Sequence, residues 1–206
     1  MSVQVKICGI TTLDQALMVQ QAGADALGLV IYRKSSRYVD LRQAVAIRAV
    51  IASDVLCVVL LVNADKEFVK QVITEVKPDL LQFHGDESAE FCQQFGFPYI
   101  RALRMRDDLN IAAEAKAHKP AHSLLFDAWH PGQYGGTGES FDWARLPLER
   151  NFNLILAGGL TPDNVAQSVV AVAPDMVDVS GGVESAPGIK DPAKVRDFVQ
   201  RAKAAS

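Results

Sequence analysis

Two side chains in this chain are of the right type for proton transfer and stand where a backbone could aim them. Cys8 ends the run Val5-Lys6-Ile7-Cys8 and is followed by Gly9. If that run is a strand, alternate side chains share a face, so Lys6 and Cys8 project together and the ammonium favours the thiolate. A thiolate placed there could act as a base. Free cysteine is also among the most often buried residue types, so Cys8 could equally be packing. Asp127 ends the apolar stretch Leu124-Leu125-Phe126. A carboxyl at the rim of an apolar core should have a raised pKa and suit a general acid, the plainer alternatives being a helix cap or an ion pair.

These side chains need a scaffold, and the hydrophobic period supplies one. Short apolar runs at Val5 to Cys8, Ala26 to Ile31, Val55 to Val62, Asp79 to Phe83, Tyr99 to Leu103, Ser123 to Asp127, Phe152 to Leu156 and Met176 to Ser180 read as strands. Between them lie helical patterns. Leu13, Ala16, Leu17 and Ala24 follow a Thr12 cap; a helix runs from about Leu41 to Ile51; Phe68, Val69, Val72, Ile73 and Val76 mark another. Phe91, Cys92 and Phe95, then Leu109 to Ala117, continue the alternation. A helix capped by Thr161 with Pro162 first, and one after Asp191-Pro192, complete it. After Asp127 the chain is rich in Gly and Pro, and only Phe141 to Leu146 could be helical.

Eight βα units imply parallel strands with right-handed crossovers, and eight is the number that closes a barrel. The expected fold is α/β, a single small (β/α)8 TIM barrel over residues 1–206. An open doubly wound sheet would be expected to carry GxGxxG on its first turn, and Gly9-Ile10-Thr11 does not match. No internal repeat stands out.

In such a barrel the active face lies at the carboxyl ends of the strands. Polar residues collected there are Cys8, the second loop from Arg33 to Arg37, Asn63, Gln82, His84, Arg101 or Arg104, Asp127 and Asp178. Three glycine clusters close the chain: Gly135-Gly136-Thr137-Gly138, Gly158-Gly159 and Gly181-Gly182. The last two follow strands seven and eight, where backbone N–H groups can cradle a phosphate. The expected phosphate-binding set is Gly136, Gly158, Gly159, Ser180, Gly181 and Gly182.

The totals narrow the class. With 21 Lys plus Arg against 24 Asp plus Glu, and no dense basic run, a nucleic-acid partner is not expected. The start lacks a signal peptide and no run reaches membrane-spanning length, so a soluble cytoplasmic protein is expected. The three cysteines are widely spaced and read as reduced, with Cys57 and Cys92 in the core. His118, His122 and His130 have no metal-ligand spacing, and no metal or other cofactor is expected.

Assembled, these stretches resemble the phosphoribosylanthranilate isomerases, barrels of the tryptophan pathway. The likeness is carried by Lys6-Ile7-Cys8-Gly9-Ile10-Thr11, Ser36-Arg37-Tyr38-Val39, Leu81-Gln82-Phe83-His84-Gly85, Leu125-Phe126-Asp127, Gly135-Gly136-Thr137-Gly138 with Phe141-Asp142-Trp143, Leu156-Ala157-Gly158-Gly159-Leu160, and Asp178-Val179-Ser180-Gly181-Gly182-Val183-Glu184. Three positions depart from the family: Ser36 where Pro is frequent, Phe83 where Leu stands, and Gly181 in place of a second serine.

The resemblance implies an Amadori rearrangement of N-(5′-phosphoribosyl)anthranilate to 1-(2-carboxyphenylamino)-1-deoxyribulose 5-phosphate. Asp127 would protonate the ring oxygen and Cys8 would take the C2′ proton. Arg37 would hold the anthranilate carboxylate, with Gln82, His84 and Asp178 as further substrate contacts. The partner expected is a small phosphoribosyl substrate, the assembly a monomer or homodimer. Another phosphosugar epimerase or lyase, or a non-catalytic phosphate-binding module, is the competing reading; the strand-end lysine of a condensing lyase and the His/Asp cluster of a metal epimerase are not seen. Lys6, inside the barrel, needs a counter-charge, with Asp178 the first candidate and Asp127 the second.

Overall fold

The structure is a computed structural model and describes residues 2–128 and 141–206. The apolar runs become β1 (Gln4–Cys8), β2 (Ala26–Val30), β3 (Leu56–Leu61), β4 (Leu80–Phe83), β5 (Tyr99–Arg104), β6 (Ser123–Asp127), β7 (Leu154–Leu156) and β8 (Met176–Val179). They are parallel, hydrogen-bonded in sequence order, and closed by β1 against β8. The fold is therefore the (β/α)8 barrel. The outer layer consists of α1 (Leu13–Gln21), α2 (Leu41–Arg48), α3 (Lys66–Val76), α4 (Ala89–Gln93), α5 (Ile111–Ala117), α6 (Val165–Val172) and α7 (Pro192–Ala204). Between β6 and β7 the described chain has a 3-10 turn, Trp143–Arg145. Gly136 and its cluster lie outside the described residues. Among the described residues no helix is long and apolar enough to cross a membrane.

Strand alternation sorts the core into two layers. Val5, Ile7, Leu27, Leu29, Val59, Leu61, Phe126 and Val177 turn outward and pack under the helices. Ala26, Val58, Leu80, Ile100, Leu125, Ile155 and Met176 fill the interior. By the same alternation Lys6, Cys8, Gln82, Asp127 and Asp178 belong to the inside. Short polar side chains start the helices: Thr12, Asp65, Ser88, Asn110 and Asp191 each accept a backbone N–H of the first turn. Asp40 and Gln43 form a reciprocal capping box on α2.

Some local expectations are corrected. Leu13 and Leu17 are not the inward face of α1: they are 45% and 41% exposed, while Ala16 and Val19 are fully buried. The helix lies against β2 and α7, and the smaller side chains admit that contact. Thr161 does not cap α6 directly; it opens a turn through Asn164, and the helix begins at Val165. A hairpin not anticipated from the sequence, β9 (Glu184–Ala186) with β10 (Ile189–Lys190), follows β8.

A repeated device closes the floor of the barrel. Asp25, Asp79 and Asp175 stand just before β2, β4 and β8. Asp25 donates its N–H to the Val5 carbonyl at 2.8 Å and accepts the Val5 N–H on its carboxylate at 2.8 Å. Asp79 does the same with Cys57 at 2.9 and 2.7 Å, and Asp175 with Leu154 at 3.0 and 2.7 Å. Each carboxylate also meets a cation: Lys203, Arg48 and Arg150 respectively.

Candidate active site

The strand ends converge on a cavity at the carboxyl rim of the barrel. It is lined by Cys8, Arg37, Gln82, His84, Asp127, Gly158, Gly159, Asp178, Ser180, Gly181 and Gly182, which brings together the acid, base, substrate and phosphate candidates within the described residues but leaves out Arg33, Asn63, Arg101 and Arg104. Val30, Leu60 and Tyr32 form an apolar wall beside Cys8. Thr161, read from the sequence as a helix cap, Leu160 of the glycine motif and Ser35 of the second loop also line it.

On one side, Lys6 Nζ lies 2.9 Å from Asp178 Oδ1, and Lys6 has no solvent exposure. The paired register of Lys6 with Asp178 across β1 and β8 sets this contact. The two atoms meet as an ion pair off the alignment of a hydrogen bond. Burial alone would lower the Lys6 pKa, but Asp178 and the Cys8 sulfur hold it above the ordinary lysine value. Cys8 behaves differently from expectation. Burial pushes its thiol pKa up, and although Lys6 and Lys190 pull it down while Asp178 adds to the rise, burial prevails.

Lys6 therefore limits the rise without reversing it. Removing one partner of a buried ion pair typically costs about 3–5 kcal/mol, so the informative variant is Lys6→Met with Asp178→Asn, which removes both charges. Lys6 is the larger of the two influences on Cys8, so its loss outweighs that of Asp178. The Cys8 pKa is expected to move further upward, and both the alkylation rate of Cys8 and turnover should begin their rise at higher pH. An unmoved pH profile would remove Lys6 from the account.

Gly28 sits beside Cys8 in register, a proximity the sequence did not reveal. A β-carbon there would stand 2.7 Å from Cys8 Sγ and 3.0 Å from its Cα. Overpacking of this kind costs about 1–3 kcal/mol. Gly28→Ala is expected to displace the thiol and lower kcat while leaving inorganic phosphate binding near its original value, as read by turnover and calorimetry.

Across the cavity, Asp127 Oδ1 accepts the Ala128 N–H at 2.9 Å, and Oδ2 lies 3.2 Å from His84 Nε2. Gln82 Nε2 is 2.9 Å from His84 Nδ1. With the amide as donor, Nδ1 accepts and the ring proton sits on Nε2, facing the carboxylate. Gln82 thus holds the His84 ring, whose Nε2 faces Asp127 as a close polar contact off the alignment of a hydrogen bond.

On the β7 and β8 side the rim is formed by the glycines that follow those strands, with a 3-10 turn over Gly181–Val183, and the loop after β2 reaches it through Arg37. Here Arg37 donates from Nε and Nη2 to Glu184 Oε1 and Oε2, both at 2.8 Å. Lys190 Nζ reaches Glu184 Oε1 at 2.7 Å and the Ser180 carbonyl at 3.1 Å. Burial alone would raise the Glu184 pKa, but the bonds from Arg37 and the charge of Lys190 hold it below the usual carboxylate range. Neither Glu184 nor Lys190 was among the sequence candidates as a site residue.

Asn63 and Arg101 are not in the cavity. Arg101 pairs with Glu87 at 2.8 Å and donates to the Gly85 carbonyl, while Glu87 accepts the Asn63 and Gly85 N–H groups. Together they brace the loop that carries His84. Cys57 and Cys92 are buried as expected, their thiols pushed up to about 12 by burial.

Comparison with known proteins adds to this geometry. The family model described as N-(5′-phosphoribosyl)anthranilate (PRA) isomerase matches residues 5–201. The N-(5′-phosphoribosyl)anthranilate isomerase of Cellvibrio japonicus is 48% identical over 205 residues, covering 100% of this chain and 95% of that protein. The crystal structure of phosphoribosyl anthranilate isomerase from Thermotoga maritima superimposes with a TM-score of 0.90 at 35% identity, covering 98% of this chain and 99% of the other. A further structure, of such an isomerase in complex with reduced 1-(o-carboxyphenylamino)-1-deoxyribulose 5-phosphate, has a TM-score of 0.87 at 33% identity, with 98% and 99% coverage.

Proposed function

Because this chain belongs to the N-(5′-phosphoribosyl)anthranilate isomerase family, an isomerase family of tryptophan biosynthesis, we propose that Asp127 is its general acid and Cys8 its general base. The reaction converts an aminoaldose to an aminoketose. Asp127 gives a proton to the furanose ring oxygen, the C1′–O bond breaks, and the electron pair on nitrogen forms a Schiff base. Cys8 as thiolate then takes the C2′ proton, leaving an enolamine that tautomerises to the ketose. His84, held by Gln82, orients the Asp127 carboxyl.

The observation that carries this reading is the two-sided cavity. Asp127 and Cys8 project into it from β6 and β1, strands separated round the ring by β7 and β8. Val30, Leu60 and Tyr32 offer an apolar surface to an aromatic ring. Gly158, Gly159 and Ser180 to Gly182 offer backbone to a phosphate at the other end, in the position barrels use for it. Arg37 stands at the rim with a guanidinium fork suited to the anthranilate carboxylate. A sugar held between these ends meets the acid and the base together.

The test supplies anthranilate, a phosphoribosyl donor and the upstream transferase, and follows the fluorescence change as the aminoaldose is consumed. Turnover, and growth of a tryptophan auxotroph lacking only this step, are expected. Saturable binding without turnover would instead identify a phosphate-ligand module.

A further inference from the structure

Arg37 does not meet the cavity as a loose cation. One edge of its guanidinium, Nε and Nη2, is fully committed to the two oxygens of Glu184. The other edge, Nη1 with the second Nη2 proton, is the one left for a ligand. Gly181 borders the guanidinium closely, a β-carbon there standing 3.1 Å from Nη2. A free arginine side chain samples many rotamers, whereas this one is held in a single plane by a carboxylate that is itself nearly buried.

Glu184 is fixed from several directions. It begins β9, its backbone carbonyl accepts Lys194 Nζ at 2.8 Å, and its Oε1 accepts Lys190 Nζ. The hairpin turn is tied down as well, the Gly188 carbonyl accepting Thr11 Oγ1 and Gln15 Nε2, each at 3.0 Å. Lys190 continues the chain to the Ser180 carbonyl, on the loop that borders the phosphate end. Arg37, Glu184 and Lys190 together carry one net positive charge, which an incoming carboxylate neutralises.

We propose that Glu184 is the positioning residue that sets specificity for the aromatic carboxylate: it takes the side edge of Arg37 so that the end edge presents a fork to the ligand. Through Lys190 the same carboxylate ties that fork to the Ser180–Gly182 loop. The inference rests on the assignment of Arg37 to the anthranilate carboxylate, and the experiment separates the two.

The probes are a pair of reduced product analogues, aminodeoxy sugar phosphates bearing a phenyl ring with and without the ortho carboxylate, titrated by calorimetry. Arg37→Ala should weaken only the carboxylated probe, by about 10- to 100-fold, the usual range for one charge-assisted contact. Glu184→Gln, which keeps the shape but loses the bidentate charge, should weaken the carboxylated probe by about tenfold and the plain one by less than about twofold. Glu184→Asp, whose carboxylate is held one methylene short of Nε and Nη2, should show the same selectivity and serves if the glutamine variant does not fold.

In turnover, these Glu184 variants should raise KM for the natural substrate more than they lower kcat. If Arg37→Ala is selective but the Glu184 variants weaken both probes equally, or neither, Glu184 is only structural and the proposal fails. If Arg37→Ala itself weakens both probes equally, the carboxylate assignment fails first and the proposal falls with it.

Discussion

Asp127→Asn is expected to lower kcat by roughly 10²- to 10⁴-fold, the usual contribution of a positioned general acid, with little change in KM. An amide matches the carboxyl in size and can still accept the Ala128 N–H, so the local backbone should hold. What it cannot do is deliver a proton to the ring oxygen. The loss should therefore concentrate on ring opening. A substrate analogue supplied already open should react much faster than the natural one in this variant, and equal rates for the two would remove Asp127 from the acid role.

A loss of similar size is expected for Cys8→Ser, for a different reason. The thiol is pushed up by burial yet remains far easier to ionise than a hydroxyl, so serine at this position is almost never a base near neutral pH. Serine is smaller than cysteine and does not crowd Gly28, so binding of phosphate and of the product analogue should persist. Steady-state kinetics should show kcat reduced by roughly 10²- to 10⁴-fold with KM nearly unchanged. In the parent enzyme, turnover should climb with pH as Cys8 ionises, because only the thiolate accepts the proton. Near-parental turnover in the serine variant would overturn the base assignment.

The two residues proposed for proton transfer were legible in the sequence because each closes a short apolar run, and a strand end in a barrel points at one face. β6 was expected at Ser123 to Asp127 and forms there. The Lys6–Asp178 pair was also accessible, since an interior lysine demands a counter-charge and β8 must lie beside β1. Its effect on Cys8 was not, because alternation says which groups share a face but not how much water is excluded from them.

Gly28 looked like one more member of an apolar strand, and its role exists only in the register that sets it against Cys8. His84 was read as a ligand contact; the orienting role proposed for it rests on two distances, to Gln82 and to Asp127. Glu184 and Lys190 sit on strands of three and two residues, too short for any period to show. Arg37 was collected with the loop after the second strand, but its role toward a carboxylate was reached only through the family resemblance.

The three aspartate clasps at the floor bear on how the ring comes together. Each joins residues only 20, 22 or 21 positions apart in sequence, within one strand-helix-strand segment. Loop-closure entropy rises only slowly with length, but contacts this local form early and favour rapid folding. The register of β1 with β2, of β3 with β4 and of β7 with β8 can thus be fixed pair by pair, before β8 ever meets β1. Closure then joins prefabricated staves, and the rim that carries Asp127 and Cys8 is aligned last, from a foot already set.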